Sequence, residues 1–163
     1  MFIYLLTESY IVNAEKKKDS ITKELERNEK EMRKTVKMIN DLAHSYLTEA
    51  AILFLEDKLE KEFNIKANIT SIEFEKRADF DLFTELGDKL ILGKVRRKAT
   101  LNTLKSLERS TEKLLEAKPE FRKKKIILII YAKKATEQLI VECKRKGIYL
   151  TLGYAEDFTP LKL

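Results

Sequence analysis

The sequence predicts an α/β domain of three layers, with helices on both faces of a mixed sheet, preceded by a long N-terminal coiled-coil helix. Three observations lead to this prediction. Residues 11–46 contain no Gly or Pro and repeat seam positions at alternating spacings of three and four. Two short apolar runs flank the turn signal Leu86-Gly87-Asp88. A continuous apolar run, Ile126–Tyr131, is typical of a strand covered on both faces.

The N-terminal helix has the pattern of a coiled coil. Eight of its eleven seam positions are apolar, and the residues between them are mostly charged. A helix about 50 Å long with one narrow apolar stripe cannot bury that stripe alone. We therefore expect self-association into a homo-oligomer through residues 11–46, with folding back onto its own domain as the alternative. The seam positions are Ile11, Ala14, Lys18, Ile21, Leu25, Asn28, Met32, Thr35, Ile39, Leu42 and Tyr46.

After Met32 the apolar stripe widens, which indicates a helix lying on a core, in one piece or bent near His44 and ending near Phe63. The boundary between the coiled coil and the α/β domain is placed at residues 1–45 and 46–163. The further predicted elements are strands at 67–74, 80–83 and 89–95, a helix from Thr100 to before Pro119, a strand at 126–131, a helix at 136–146 and a strand at 148–152.

The charge is distributed unevenly along the chain. Residues 1–63 carry 11 Lys and Arg against 13 Asp and Glu, a net −2, whereas residues 64–163 carry 22 against 14, a net +8. Such asymmetry indicates a polyanion-binding domain joined to another element, although the solvated surface of a Lys- and Glu-rich thermophile protein has a similar composition. The N-terminal apolar run is too short to span a bilayer, and a single cysteine, Cys143, indicates a reducing compartment. We expect a cytoplasmic protein without a membrane partner.

Several common chemistries have no signal in the sequence. There is no P-loop, no Gly-rich dinucleotide loop, no Ser/His/Asp set and no zinc-ligand spacing. The lone histidine, His44, has no Cys or His cluster beside it, so a structural role is expected. Cys143 lies on the predicted inner face of its helix and is expected in the core.

Four segments resemble the PD-(D/E)xK nuclease-like superfamily, which includes restriction enzymes and archaeal Holliday-junction resolvases. They are the helix carrying Glu49, FDLF around Asp81, LILGKVRR with Lys94 thirteen residues after Asp81, and the β-α-β segment ending in KRKGIYL. The resemblance covers about residues 46–152, and it is closer to archaeal proteins with a coiled coil before such a domain. It implies a restriction-endonuclease-like fold.

The resemblance also implies what an active site would need. Asp81 occupies the position of the metal-binding aspartate, and Glu49 matches the glutamate of the leading helix. The E-x-K pair is replaced by Lys94 and Arg96, so a divalent ion would meet an ammonium group at its third ligand. We expect no metal site, with Lys94 paired to Asp81 and to Glu49. The alternatives are that Lys94 and Arg96 are solvated, or that Glu108 or another helix residue supplies a relocated ligand.

These observations predict a self-associating, non-catalytic protein of the nuclease-like class that binds nucleic acid, with DNA as a partner and no cofactor. One alternative is an active Mg²⁺-dependent endonuclease with a relocated ligand, and another is an assembly scaffold without nucleic acid. The degenerate catalytic positions are Glu49, Asp81, Lys94 and Arg96. The expected nucleic-acid contacts are Lys94, Arg96, Arg97, Lys98, Arg122, Lys123, Lys124 and Lys125.

Overall fold

The computed structural model describes residues 2–74 and 78–163. Within these ranges the order of elements is α-β-β-β-α-β-α-β, as predicted, and the first helix runs through His44 without ending. The elements are α1 (Phe2–Phe63), β1 (Thr70–Phe74), β2 (Ala78–Leu86), β3 (Lys89–Ala99), α2 (Leu101–Ala117), a short 3₁₀ helix (Pro119–Lys123), β4 (Lys125–Ala135), α3 (Glu137–Lys146) and β5 (Tyr149–Thr151).

The five strands form one sheet in the order β1-β2-β3-β4-β5. The pairs β1–β2 and β2–β3 are antiparallel, whereas β3–β4 and β4–β5 are parallel, so the sheet is mixed. Two adjacent parallel strands need a crossover connection, and α2 and α3 provide these crossovers. Both helices therefore begin directly after the carboxyl ends of β3 and β4.

Helices cover both faces of the sheet, which confirms the predicted three-layer α/β class. On one face, α1 buries Leu47, Ala51 and Leu55 in a core that it shares with the sheet residues Ile91 and Ile129. These three residues recur every four positions, so they lie on one face of the helix, and that face packs on the sheet.

The other face of the sheet packs against α2 and α3. Leu104 and Leu139 of these helices share a core with Leu90 and Leu92 of β3. Cys143 belongs to this core, is fully buried, and has its thiol pKa raised to about 11, mainly by burial. A thiol with such a pKa is almost entirely protonated near neutral pH, so Cys143 is a packing residue, as predicted.

The chain divides into two compact units, one up to Leu42 and one from Ala43 to Leu163. In the first unit, every described residue of α1 is exposed, and the exposed residues include seam positions such as Ile21, Leu25 and Met32. Among the described helices, none has a stretch long and apolar enough to cross a membrane.

Candidate functional site

The candidate site lies where β2 and β3 separate. Along β2 the pairing with β1 shifts register between the partners of Phe83 and Phe80, so β2 contains an irregularity around Asp81. The regular β2–β3 pairs run from Leu86 to Leu82, which lies opposite Gly93. Beyond that point the backbone N–H of Val95 donates to Asp81 Oδ2 at 2.8 Å. The Asp81 carboxylate thus accepts a backbone hydrogen bond that a regular ladder would direct to a carbonyl.

Two cationic or polar side chains complete the surroundings of Asp81. Arg96 Nη1 donates to Asp81 Oδ2 at 2.9 Å, and His44 Nε2 lies 3.2 Å from Oδ1. An ionised carboxylate only accepts hydrogen bonds, so Nε2 is the donor in this contact. The Asp81 side chain is 16% exposed, and its two oxygens together have three donors. The carboxylate is therefore largely saturated by this chain's own groups.

Lys94 makes a separate buried ion pair. Its side chain is 1% exposed, and its Nζ lies 2.8 Å from Asp79 Oδ2. The same ammonium donates to the backbone carbonyl of Asp79 at 2.6 Å and lies 5.9 Å from the centre of the Phe80 ring. The hydrogen bond from Lys94 is the largest cause that lowers the pKa of the Asp79 carboxyl. Because a buried ammonium needs such partners, Asp79 supplies the ion pair and the carbonyl that Lys94 contacts in the core.

The expected pairing of Lys94 with Asp81 and Glu49 is wrong. Asp79 binds Lys94, and Arg96 is the side chain that binds Asp81. Glu49 is exposed, and α1 instead presents His44 to Asp81. Five residues of an α-helix turn through about 500°, so the two positions point in clearly different directions.

Burial also changes the expected role of two cations. Lys94 is enclosed and held by Asp79, which contradicts a direct contact with phosphate and also the alternative that it is a solvated strand-end charge. Arg96 is 34% exposed, with one of its nitrogens committed to Asp81 and to the Val95 carbonyl. Neither side chain is a freely solvated cation.

No group of three or more His, Cys, Asp or Glu side chains suited to a metal ion occurs within residues 2–74 and 78–163. Glu108, the alternative ligand, forms an ion pair with Lys146 between α2 and α3. Those helices cover the sheet face opposite to α1, whereas Asp81 contacts His44 of α1. The described geometry therefore does not bring Glu108 to Asp81.

Four exposed cations lie at the carboxyl ends of the two central parallel strands. Arg97 and Lys98 lie just before the end of β3, Lys133 and Lys134 lie just before the end of β4, and Lys98 is the register partner of Lys134. Successive side chains of a strand point to opposite faces, so Arg97 and Lys133 project from one face of the sheet and Lys98 and Lys134 from the other, all at the same end. None of the four forms an ion pair with another residue in the part of the chain that the structure describes. We call Arg97, Lys98, Lys133 and Lys134 the carboxyl-end cations.

A groove of about 350 Å³ adjoins the carboxyl-end cations. Arg97 and Lys133 form part of its wall, and Tyr46 of α1, which is 65% exposed, forms another part. The remaining lining is apolar and mostly small, and consists of Ala43, Leu47 and Ala50. The groove thus combines two cations, an aromatic ring and an apolar floor.

The second predicted basic group, residues 122–125, lies at the opposite end of the sheet. Lys125 begins β4 and pairs with Lys89, the first residue of β3. Nine residues of strand separate this pair from Lys98 and Lys134, a distance of about 30 Å. Arg122 Nε donates to the Leu115 carbonyl at 3.4 Å. The structure therefore splits the expected nucleic-acid contacts into two separate groups.

Sequence reasoning did not assign five residues of this region to the site. Lys133 and Lys134 directly follow the apolar run of β4, and aligning the ends of β3 and β4 as parallel neighbours would have placed them beside Arg97 and Lys98. His44 and Tyr46 carry no such signal, because the angle at which α1 crosses the sheet decides what they meet. Asp79 did carry a signal in the sequence, since a carboxylate among apolar residues of a strand needs a partner.

Solved structures that resemble this chain include "crystal structure of a repair endonuclease from Pyrococcus abyssi", at 17% identity and a TM-score of 0.40, with 60% of this chain and 44% of that chain covered. Another is "Structure of EndoMS-dsDNA2 complex", at 15% identity and a TM-score of 0.39, with 60% and 42% covered. The chain thus spans less than half the length of either.

No curated protein matches the chain significantly. A family model matches residues 49–161, and the chain belongs to that family, whose description is "Domain of unknown function (DUF8196)".

Proposed function

We propose that this chain binds nucleic acid through the sugar-phosphate backbone at the carboxyl-end cations and does not cut it. The observation that carries the proposal is the placement of four exposed cations on two neighbouring strand ends, with no ion-pair partner among the described residues. A cation without a carboxylate partner binds phosphate without first breaking an internal ion pair. Each phosphate contact also releases condensed counterions, which favours binding at low salt.

The surroundings reinforce the positive potential at this end of the sheet. Residues 64–163 carry a net charge of +8. The helices α2 and α3 begin at Leu101 and Glu137, immediately after β3 and β4, so both amino-terminal dipole ends lie beside the carboxyl-end cations. Glu137 is an acidic residue in the first turn of α3 and offsets part of this potential. The balance at the strand ends remains positive.

We propose that the chain does not cut nucleic acid because the Asp81 carboxylate is already engaged in hydrogen bonds. A hard divalent ion is held by several oxygen ligands, and Asp81 already accepts from Val95, Arg96 and His44. A divalent ion at Asp81 would lie beside the guanidinium of Arg96, and at an effective dielectric constant near 20 this repulsion amounts to several kcal/mol. The two positions that would supply the E-x-K pair are both cationic. We therefore propose that Asp81 has a structural role.

The group at residues 122–125 is the weaker candidate for phosphate contact. Lys124 donates to the Gly87 carbonyl and pairs with Glu85 at 3.4 Å, so it fixes the β2–β3 turn to the start of β4. Arg122 donates to a carbonyl near the end of α2. Lys123 and Lys125 are exposed, and they provide a matched pair of control positions.

The test is duplex DNA binding, measured by fluorescence anisotropy over a series of salt concentrations. We expect the double variant Arg97→Gln/Lys133→Gln to weaken binding by at least about tenfold and to reduce the salt slope by about 0.9 for each phosphate contact that is lost. The matched double variant Lys123→Gln/Lys125→Gln should bind within about twofold of the native chain. Absence of salt-dependent binding would favour an assembly scaffold, and a larger loss in the control variant would move the interface to the other end of the sheet.

We further propose that α1 mediates self-association into a homo-oligomer through its seam over residues 11–46. Support comes from the exposure of its apolar seam residues, including Ile11, Ile21, Leu25 and Ile39. An exposed apolar stripe of this length is unfavourable in water, and burial against a second copy removes it. An oligomer would also present several sets of carboxyl-end cations to one polyanion, which raises the overall affinity.

A further inference from the structure

We infer that the groove beside the carboxyl-end cations takes an unpaired nucleotide base, so that the chain binds single-stranded nucleic acid in preference to a fully paired duplex. This inference rests on the proposed function and assigns it a substrate class. Its starting point is the lining of the groove, which brings Tyr46, Arg97 and Lys133 around one space of about 350 Å³.

The lining matches the two chemical parts of a nucleotide. A base offers an apolar π-face, and an aromatic side chain stacks on it whatever its sequence. Tyr46 is 65% exposed and lines the groove, so its ring has open surface for such stacking. Ala43 and Ala50 are small and leave the floor open and apolar. A phosphate offers negative charge, and Arg97 and Lys133 line the same space without an ion pair to any described residue.

A paired duplex uses only half of this arrangement. Its base faces are stacked on one another, so the π-face that Tyr46 requires is available only in a strand that is single or locally unpaired. A duplex still offers phosphates to the carboxyl-end cations. The groove therefore adds affinity for an unpaired strand, whereas the cations bind both forms.

Charge complementarity favours a nucleotide over an apolar protein segment as the occupant. An apolar segment placed in the groove would remove water from Arg97 and Lys133 without offering them an anion, and this desolvation is costly. Tyr46 is also a seam position of α1, so a second copy of the chain is the competing occupant. The experiment below distinguishes the two.

The test compares an oligothymidylate with a duplex of the same length, about 20 nucleotides, for the native chain and for Tyr46→Leu, Tyr46→Phe and Tyr10→Leu. Tyr46→Leu removes the ring but keeps an apolar seam residue, and Tyr46→Phe keeps the ring. Tyr10 is an exposed tyrosine outside the groove. We expect Tyr46→Leu to weaken single-strand binding by about fivefold to a hundredfold and to change duplex binding by less than about twofold. Tyr46→Phe and Tyr10→Leu should bind as the native chain does.

An equal loss on both substrates, or no loss in Tyr46→Leu, would overturn the inference. Duplex binding by the native chain would still support the proposed function. No binding to either substrate would overturn both. Tyr46→Leu could also change the oligomeric state, which sedimentation would show. In that case, photo-cross-linking of a single strand containing 5-iodouracil to the native chain distinguishes a base from a second copy as the occupant of the groove. A cross-link on the peptide that contains Tyr46 supports the inference, and cross-links on other peptides only would assign the groove to the second copy.

Discussion

Lys94 is a charged residue in a fully buried position, where an apolar side chain would be expected. Its ammonium reaches the carboxylate and the backbone carbonyl of Asp79. The two members of the pair are unequal, since the Asp79 side chain is 65% exposed. A carboxylate that loses its partner can turn to water, whereas the ammonium cannot. The pair should therefore respond differently to loss of either member.

We expect Asp79→Asn to destabilise the fold more than Lys94→Met. The first change leaves a buried ammonium without its anion, at a cost of about 2 kcal/mol or more. The second replaces the ammonium by an apolar side chain of similar length and leaves a solvated carboxylate, so its cost should stay below about 1 kcal/mol. Urea unfolding at neutral pH measures both free energies. A larger loss in Lys94→Met would contradict the role assigned to Asp79.

The same pair predicts a dependence of stability on pH. The hydrogen bond from Lys94 lowers the pKa of Asp79 below its ordinary value of 3.8. A carboxyl whose pKa is lower in the folded state contributes stability that is present above its unfolded pKa and is lost as the pH falls through the folded pKa. The loss of unfolding free energy in Asp79→Asn, relative to the native chain, should thus be largest near neutral pH and should shrink as the pH falls below the ordinary pKa of 3.8. Urea unfolding of both proteins at a series of pH values, from neutral pH down into the acid range, measures this difference.

Asp88→Asn is the control for that titration. Hydrogen bonding from Lys89 lowers the pKa of Asp88 as well, but the Asp88 side chain is 81% exposed. Exposed ion pairs contribute little, so the free energy of unfolding of this variant should follow that of the native chain at every pH. If the loss of unfolding free energy in Asp79→Asn did not change with pH, the proposed titration of Asp79 in its pair with Lys94 would be wrong.

The separation of β2 from β3 depends on close backbone packing just before it. A Cβ on Gly93 would lie 2.9 Å from the Ile129 carbonyl oxygen and 3.0 Å from Leu82 Cβ. Gly93 thus lets the central strand sit close to its neighbours immediately before Lys94. A side chain there would push β2 and β4 apart at the base of the site.

We expect Gly93→Ala to destabilise the fold by about 2 kcal/mol through overpacking. Gly147, the C-cap of α3, is a comparison of a different kind, because it has a φ of 68° but nothing within 4 Å of an added Cβ. Gly147→Ala should cost only about 1 kcal/mol of backbone strain. Thermal or urea unfolding compares the two, and a smaller cost at Gly93 would mean that the strands move apart without penalty.

The proposed self-association assigns the exposed stripe of α1 to an interface. Leu25 is a seam position, and Lys23 lies off the seam on the same part of the helix. Leu25→Gln should weaken association by at least about tenfold, because a buried leucine contributes about 1.5–3 kcal/mol. Lys23→Gln should leave association unchanged. Sedimentation equilibrium measures both, and a native chain that remains monomeric at high concentration would contradict the proposal.

The order of elements could be predicted from the sequence because each depends on a local pattern. The apolar run of β4, the N-cap position Thr100 and the C-cap Gly147 all lie where the structure has them. The contacts of the site could not be predicted in the same way. Whether Lys94 meets Asp79 or Asp81 depends on the irregularity in β2, and whether α1 offers Glu49 or His44 depends on its rotation over the sheet. Neither has a signal within a short window of sequence.

Across the α/β unit, exposed cations lie at both ends of the sheet, and the groove that contains Tyr46 lies at the carboxyl ends of β3 and β4. At the amino ends of β3 and β4, Lys124 is engaged by Gly87 and Glu85. At the carboxyl ends, the carboxyl-end cations are exposed beside two helix amino termini, while Arg96 holds the carboxylate of Asp81. We propose that the carboxyl-end cations bind phosphate, whereas Arg96 occupies the place beside Asp81 where a divalent ion would act.

The most direct measurement incubates supercoiled DNA with Mg²⁺ or Mn²⁺ and enough protein to bind all of it, and then scores nicks for the native chain and for Asp81→Asn. We expect complete binding and no nicking above the protein-free control, with both proteins alike. Nicking by the native chain that is lost in Asp81→Asn would contradict the account, because Asp81 would then serve a reaction rather than hold Arg96 and His44 in place.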